Sequence, residues 1–291
     1  MKLVTFTHGG KTRIGAVVAE DVVDVSGQGR NVPSDMLAFL AQGAPAMEQA
    51  REACASGRGR LALADVQLEA PIRRPPKILA VGLNYRDHIE ETGRPMPEVP
   101  MIFNKQSTAV TGPGAAIWRP KDSVELDYEG ELGVVIGKRC RRVPKDKAAT
   151  VIAGYTIVND VSVRDWQARS ATTTMGKSWD THCPMGPYIV TTDEVPDPHR
   201  LDLKTWVNGE LRQNSNTKHL IFNCFDIVEH LSTAFTLEPG DVIATGTPSG
   251  VILGMDPKIW LKPGDVVRIA IDQLGMLENP VVDEPASTVQ Y

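Results

Sequence analysis

Acidic residues recur at every second position in the segment Leu126–Gly137, where Asp127, Glu129 and Glu131 precede the apolar run Leu132–Ile136. Alternate side chains of a β-strand share one face, so a strand here would align the three carboxylates. The apolar continuation indicates that this strand enters a core. A buried carboxylate is costly unless it is paired or bound to a metal. From the spacing alone, an acidic strand edge facing water remains an equally simple interpretation.

A further carboxylate, Asp160, ends the long apolar run Val151–Val158 through the pair Asn159-Asp160. Such a pair is also typical of a turn or a helix N-cap. If this strand end met the acidic segment, Glu129, Glu131 and Asp160 would form an all-oxygen set of ligands. Three carboxylates with room for water suit Mg²⁺ or Mn²⁺, and Ca²⁺ could replace them in a crystal.

A histidine and a glutamate three residues apart, His88 and Glu91, could face together on a short helix. A histidine oriented by a carboxylate is suited to act as a general base. An exposed polar turn with an incidental ion pair is the alternative. The prolines and glycine of 93–100 favour a mobile lid next to this pair.

A further segment of small residues, 244–251, contains Thr247. Its residues either let the backbone approach an anion or form a tight turn.

The elements that must position these residues indicate an α+β, β-rich protein. Short strands are predicted over 1–25 and a helix over 34–57, from Ser34 to Gly57. Three prolines within 70–77 predict a linker, so we divide the chain into a small N-terminal α+β domain, 1–71, and a larger domain, 72–291. The larger domain is rich in strand-like runs, with helices expected near 162–171 and at 224–236. Strands and helices do not alternate along the sequence, as they do in doubly wound folds.

Composition and charge exclude several classes of protein. The net charge of −5 provides no electrostatic footprint for nucleic acid, and no apolar run is long enough to span a membrane. The N-terminus lacks the pattern of a signal peptide, so we expect a cytoplasmic location. The four cysteines form no C-x-x-C pair and the six histidines show no metal spacing, which argues against a zinc site or a disulfide framework.

Taken in order, five motifs resemble the fumarylacetoacetate hydrolase superfamily, and the similarity extends over roughly residues 77–275. They are Gly-x-Asn-Tyr-x-x-His at 82–88, Asp-Tyr-Glu-x-Glu-Leu-Gly-Val-Val-Ile-Gly at 127–137, Asn-Asp-Val-Ser-x-Arg-Asp-x-Gln at 159–167, Gly-Lys-Ser-x-Asp-Thr at 176–181 and Thr-Gly-Thr-Pro-x-Gly-Val at 245–251. One departure follows the last motif, where Ile252-Leu253-Gly254 stands in place of an expected Gly-Leu-Gly turn.

The resemblance implies a mixed β-sandwich roll that forms a homodimer and binds Mg²⁺ or Mn²⁺. The residues that match its metal ligands are Glu129, Glu131 and Asp160, with Asp127 as support. The remaining roles implied are catalytic for Lys177 beside the metal and for the lid pair His88 and Glu91, and substrate-binding for four residues, Arg86, Gln167, Thr181 and Thr247. Arg86 is the residue expected to reach a second carboxylate of the substrate.

The activity implied is hydrolysis of a C–C bond in a small 2,4-dioxo acid, either an acylpyruvate or a diketo-deoxy sugar acid. The cation would stabilise the enolate left by bond cleavage, and His88, oriented by Glu91, would activate the attacking water. Two alternatives within the superfamily are decarboxylation of an oxaloacetate-like acid and isomerisation of a hydroxymuconate-type acid. A non-catalytic ligand-binding protein is the remote alternative.

Overall fold

The computed structural model describes residues 1–26 and 32–288 of the chain. The strands are β1 (Lys2–His8), β2 (Lys11–Val18), β3 (Asp21–Asp24), β4 (Arg60–Ala62), β5 (Gln67–Glu69), β6 (Ile78–Gly82), β7 (Met101–Lys105), β8 (Val110–Thr111), β9 (Ile117–Arg119), β10 (Leu126–Asp127), β11 (Gly130–Ile136), β12 (Ile152–Asn159), β13 (Ser162–Val163), β14 (Cys183–Thr191), β15 (Asp202–Val207), β16 (Glu210–Asn216), β17 (Val242–Ala244), β18 (Val266–Ile271) and β19 (Gly275–Asp283). The α-helices are α1 (Met36–Gln42), α2 (Ala44–Ser56), α3 (Arg86–Thr92), α4 (Arg164–Ala168), α5 (Thr174–Lys177) and α6 (Cys224–Ala234).

The largest sheet is mixed and follows the order β4-β3-β2-β1-β14-β12-β11-β17-β6-β7, with β5 on β1 and β8 on β14. A second sheet has the order β16-β15-β18-β19-β9. On β11, Leu132, Val134 and Ile136 face one hydrophobic core, and Val135 faces another. Because β11 is buried on both faces, its sequence from Leu132 to Ile136 is continuously apolar instead of alternating. The predicted β-rich α+β class and mixed β-sandwich roll are confirmed.

The N-terminal segment is joined to the rest of the molecule through the large sheet, since β1 pairs with β14. The hydrophobic core that contains the N-terminal segment also includes residues of β6, β11 and β12. The division at residues 71 and 72 stays a prediction. The prediction of a single helix over 34–57 is wrong, because this segment forms two helices, α1 and α2. Gly43, at a φ of 64°, ends α1, and a proline in the first turn of α2 starts the next helix.

The helix N-terminus is also corrected, since Asp35, and not Ser34, accepts a hydrogen bond from the Ala38 N–H. The predicted end at Gly57 is confirmed by a left-handed cap. Helix α6 matches the prediction for 224–236 and begins with a reciprocal capping box between Asn223 and Asp226. Within the described ranges, none of the helices is long and apolar enough to cross a bilayer.

Candidate metal centre and active-site cavity

Glu129, Glu131 and Asp160 come together because β11 and β12 pair antiparallel. Their register sets Gly130 opposite Asn159, and the Asp160 N–H donates to the Glu129 carbonyl at 2.9 Å. The side chain of Asn159 accepts from the Glu129 N–H at 3.1 Å, which fixes the turn between β10 and β11. One carboxylate oxygen from each of the three acids lies within 4.8 Å of the others, and all three residues are buried.

Within the described residues, Asp127 is not part of the carboxylate group formed by Glu129, Glu131 and Asp160. Strand β10 ends at Asp127 and β11 starts at Gly130, so the period of two is interrupted between them. The Asp127 carboxylate instead accepts from the N–H groups of Ile252 and Leu253 and pairs with Arg164 at 2.7 Å. It therefore anchors the Ile252-Leu253-Gly254 segment that departs from the expected turn.

Two lysines and an arginine surround the carboxylates. Lys177 Nζ lies 2.6 Å from Glu129 Oε2 and 2.9 Å from Asp160 Oδ2. Lys105 Nζ lies 2.6 Å from Asp160 Oδ1, and Arg164 Nη1 lies 2.7 Å from Glu129 Oε1. Burial lowers the pKa of Lys177, but Asp160 and Glu129 raise it by more, so its ammonium stays charged.

Glu129 and Glu131 differ in their electrostatic surroundings. Burial raises the pKa of Glu129, but Lys177 and Arg164 outweigh it and lower this pKa from 4.5 to about 2. Burial, with the charges of Asp160 and Glu129, raises the pKa of Glu131 well above 4.5. Its carboxylate accepts the Gly246 N–H at 2.8 Å. Among the salt bridges of residues 1–26 and 32–288, none includes Glu131.

These residues fit a divalent cation. When all are ionised, the four carboxylates of Asp127, Glu129, Glu131 and Asp160 exceed the three cations of Lys105, Arg164 and Lys177 by one negative charge. A buried carboxylate without a cationic partner is costly, and coordination of a cation would remove that cost. Carboxylate oxygens alone are the donor set preferred by Mg²⁺, Mn²⁺ and Ca²⁺. Glu129, Glu131 and Asp160 are the residues that would hold it.

A cavity of about 660 Å³ opens above this cluster. Glu129, Glu131 and Lys177 form its floor, whereas His88 and Glu91 of α3 lie on one wall. His88 Nδ1 lies 2.9 Å from Glu91 Oε2, so the predicted pair forms. The other oxygen of Glu91 accepts the Gly250 N–H at 2.9 Å. Gly254 leaves room for this carboxylate, because a Cβ on residue 254 would lie 2.4 Å from Glu91 Cδ.

A family model described as the C-terminal domain of fumarylacetoacetate (FAA) hydrolase matches residues 77–282. The chain belongs to the fumarylacetoacetate hydrolase family. This finding confirms the resemblance found in the five motifs. The match covers both sheets of the sandwich except for the strands contributed by the N-terminal segment, and it contains every residue of the carboxylate cluster.

Family members of several activities resemble this chain. The mitochondrial oxaloacetate tautomerase of Xenopus laevis is 41% identical over 288 residues, covering 97% of this chain and 90% of that protein. Maleylpyruvate hydrolase from Sphingobium sp. SYK-6, solved with manganese(II) and pyruvate, superposes with a TM-score of 0.82 at 33% identity, covering 98% of this chain and 100% of that one. A 5-carboxymethyl-2-hydroxymuconate delta-isomerase from Mycobacterium smegmatis gives 0.79 at 35% identity, with the same coverage.

The predicted substrate-binding residues fall into two groups. Gln167 and Thr247 line the cavity, and the Thr247 hydroxyl accepts a hydrogen bond from Gln213 at 2.8 Å. Arg86 and Thr181 are not among the described residues that line it. Arg86 is exposed at the start of α3, and Thr181 Oγ1 accepts the Trp118 N–H at 2.8 Å. The structure therefore does not bring these two residues to the cavity.

Sequence reasoning assigned no role to Lys105, Arg164 or Arg94. Arg164 could have been singled out, since it stands three residues before Gln167, and its Nη1 donates to the Gln167 side chain at 2.9 Å. Lys105 carried a weaker signal, a charge at the end of the strand that begins at Met101. Arg94 lies on the cavity wall beyond α3, at a position that no motif marks.

Proposed function

We propose that this chain is a divalent-cation-dependent enzyme that moves a proton at C3 of a small 2-oxo acid, interconverting keto and enol forms of an oxaloacetate-like substrate. The observation that carries the proposal is one cavity with a carboxylate cluster and Lys177 at its floor and the His88–Glu91 pair on its wall. That arrangement combines fixed positive charge with a proton carrier. The tautomerase named among its relatives is similar over nearly the whole chain.

The residues divide the chemistry between them. A divalent ion, when bound, supplies positive charge beside the carboxylate and keto oxygens of a 2-oxo acid. Lys177 adds a second fixed charge and a hydrogen-bond donor where negative charge develops on the keto oxygen. Since His88 Nδ1 is held by Glu91, its Nε2 is left to take a proton from C3 and return it. Glu91 thereby fixes the orientation and tautomer of the imidazole.

C–C bond hydrolysis of a 2,4-dioxo acid is the second candidate. It uses the same cavity, but His88 takes a proton from a water that attacks the distal carbonyl. The bond between C3 and C4 then breaks, its electron pair leaves as the enolate of the 2-oxo acid, and C3 takes up a proton from His88. The similarity to a maleylpyruvate hydrolase favours it. Decarboxylation of an oxaloacetate-like acid, the other alternative, needs no such water.

One experiment separates these reactions. The protein loaded with Mn²⁺ or Mg²⁺ is incubated in D₂O with oxaloacetate or with acetylpyruvate, and the products are followed by NMR. We expect accelerated exchange of the C3 protons of oxaloacetate and faster loss of its enol absorbance, and both should disappear in His88→Gln. Cleavage of acetylpyruvate would establish the hydrolase instead, and CO₂ release the decarboxylase. If the protein accelerates none of them, the proposed function fails.

The proposed enzyme requires a divalent cation. The Mn²⁺ of the maleylpyruvate hydrolase supports a divalent cation here, and Mg²⁺ stays a prediction. The homodimer, the absence of nucleic-acid and membrane partners and the cytoplasmic location also stay predictions, and a small-molecule 2-oxo acid is the proposed substrate. The Xenopus relative is named as mitochondrial, so fractionation of cells that express the full-length protein is the test of location.

A further inference from the structure

The cavity has four basic residues on its walls and floor: His88, Arg94, Arg164 and Lys177. Three of them already have carboxylate partners. His88 pairs with Glu91, Arg164 with Asp127 and Glu129, and Lys177 with Glu129 and Asp160. Throughout the part of the chain that the structure describes, Arg94 forms no salt bridge. Among the described residues that line the cavity, it is therefore the one arginine or lysine whose charge is available to a ligand.

The location of Arg94 sets it apart from the floor. It follows Gly93, the left-handed residue that ends α3, and it is exposed. Strand β7 also contributes to the cavity wall. Its Phe103 ring lies 5.2 Å from Lys177 Nζ at the floor, and its Met101, two residues away on the same face, is 44% exposed. Both side chains line the cavity. The cavity thus combines a cationic floor, the apolar side chains of β7 and the guanidinium of Arg94.

We infer that Arg94 binds a second carboxylate, at the far end of the substrate, and that the enzyme selects 2-oxo dicarboxylic acids over 2-oxo monocarboxylic acids. This inference rests on the proposed function, which assigns the 2-oxo acid end to the floor. The carbon chain then lies along Phe103 and Met101, and the distal carboxylate meets the guanidinium. Arginine suits this role because its planar donors match a carboxylate in two parallel hydrogen bonds.

The inference assigns to Arg94 the role that the sequence predicted for Arg86, which is to bind the second carboxylate of the substrate. Both arginines are exposed and flank the same short helix, Arg86 at its first residue and Arg94 two residues beyond its last. Only Arg94 lines the cavity. Arg86→Gln is therefore a matched control for Arg94→Gln, with the same change of charge and side chain on the same lid.

Binding measured without turnover tests the inference. Isothermal titration of the Mn²⁺-loaded protein compares acids of equal length that differ only at the far end: 2-oxoglutarate with 2-oxopentanoate, and 2-oxoadipate with 2-oxohexanoate. We expect the wild type to prefer a dicarboxylate by about tenfold or more, the size of one partly exposed charged contact. Arg94→Gln should abolish that preference, whereas Arg86→Gln should retain it. Oxalate, too short to leave the floor, should bind all three proteins equally.

The outcomes are separable. If the wild type binds both members of each pair equally, or if Arg94→Gln keeps the preference, the inference about Arg94 is overturned while the proposed 2-oxo acid site stands. If Arg86→Gln loses the preference instead, the role predicted from the sequence is correct and Arg94 is not the specificity residue. If none of the acids nor oxalate binds, the proposed function fails and the inference fails with it.

Discussion

The floor and the lid wall of the cavity are built in opposite ways. At the floor and directly beneath it, seven charged groups are buried. Six of them, all except Glu131, are linked by salt bridges of 2.6–2.9 Å between residues 17 to 55 positions apart in the sequence. On the wall, His88, Glu91 and Arg94 belong to one seven-residue helix and the residues just after it. That helix is attached through the Glu91 contact with Gly250 and the 2.7 Å hydrogen bond from Ser215 to Asp87. We infer that the floor provides fixed charge, whereas the wall provides groups that can be adjusted separately.

The largest effect on this comparison should come from Glu131→Gln. Loss of one carboxylate of the cluster should lower the affinity for Mn²⁺ and the activity by more than about 100-fold, because even supporting residues of metal sites contribute 10–100-fold. The apo protein should melt at a higher temperature, since an unpaired buried carboxylate is removed. Asp127→Asn is the control: it should lower stability through Arg164 yet retain more of the Mn²⁺ affinity. A lower melting temperature for apo Glu131→Gln would contradict this account.

The two lysines divide structural from chemical roles within the floor. Lys177→Met and Lys105→Met each leave Asp160 without one of its cations, so each should destabilise the apo protein by about 3–5 kcal/mol. Only Lys177 lines the cavity. We therefore expect Lys177→Met to lose a further 10²–10³-fold in kcat, the scale of one electrostatic contact to a transition state. Chemical denaturation and steady-state kinetics measure the two effects, and equal losses of kcat would show that the floor acts as one unit.

Gly254→Ala should disturb the wall without unfolding the protein. Its added Cβ must displace the Glu91 carboxylate, which is the flexible end of a side chain, so the melting temperature should stay nearly unchanged. Displacing Glu91 should release His88 and lower kcat/KM by about 10–100-fold, since small misplacements of reacting groups have effects of that size. In a Glu91→Gln background the substitution should have no additional effect. Additive losses in the double variant would mean that Gly254 acts independently of Glu91.

The smallest predicted effect is a pH dependence of stability at the floor. Because the folded-state pKa of Glu131 is raised above 4.5, the folded apo protein retains a proton there that the unfolded chain releases. The contribution of Glu131 to the free energy of unfolding is therefore fully present below about pH 4.5, and it is lost as the pH rises towards the folded-state pKa. The difference in unfolding free energy between Glu131→Gln and wild type should widen over this window and narrow when Mn²⁺ is added. A difference that is constant with pH would contradict the raised pKa.

The amino-acid sequence by itself determined the β-rich class and the identity of the carboxylate cluster. Apolar runs predict strands because local side-chain pattern governs which faces can be buried, and the five motifs marked Glu129, Glu131 and Asp160 in order. The spacing alone also admitted an acidic edge, because it carries no information about which strands pair. The pairing of β11 with β12 decided that question by bringing Asp160 to Glu129.

Only the tertiary structure decided how the remaining charges are distributed. Lys105 and Asp160 are 55 residues apart, and Glu91 and Gly250 are 159 apart, so no local pattern could relate them. The same holds for the choice between Arg86 and Arg94. Both are exposed arginines at the ends of one helix, which contacts Gly250 through Glu91, and Arg94 lines the cavity whereas Arg86 does not. The ordered motifs thus marked the carboxylates, while long-range packing determined which groups share the cavity.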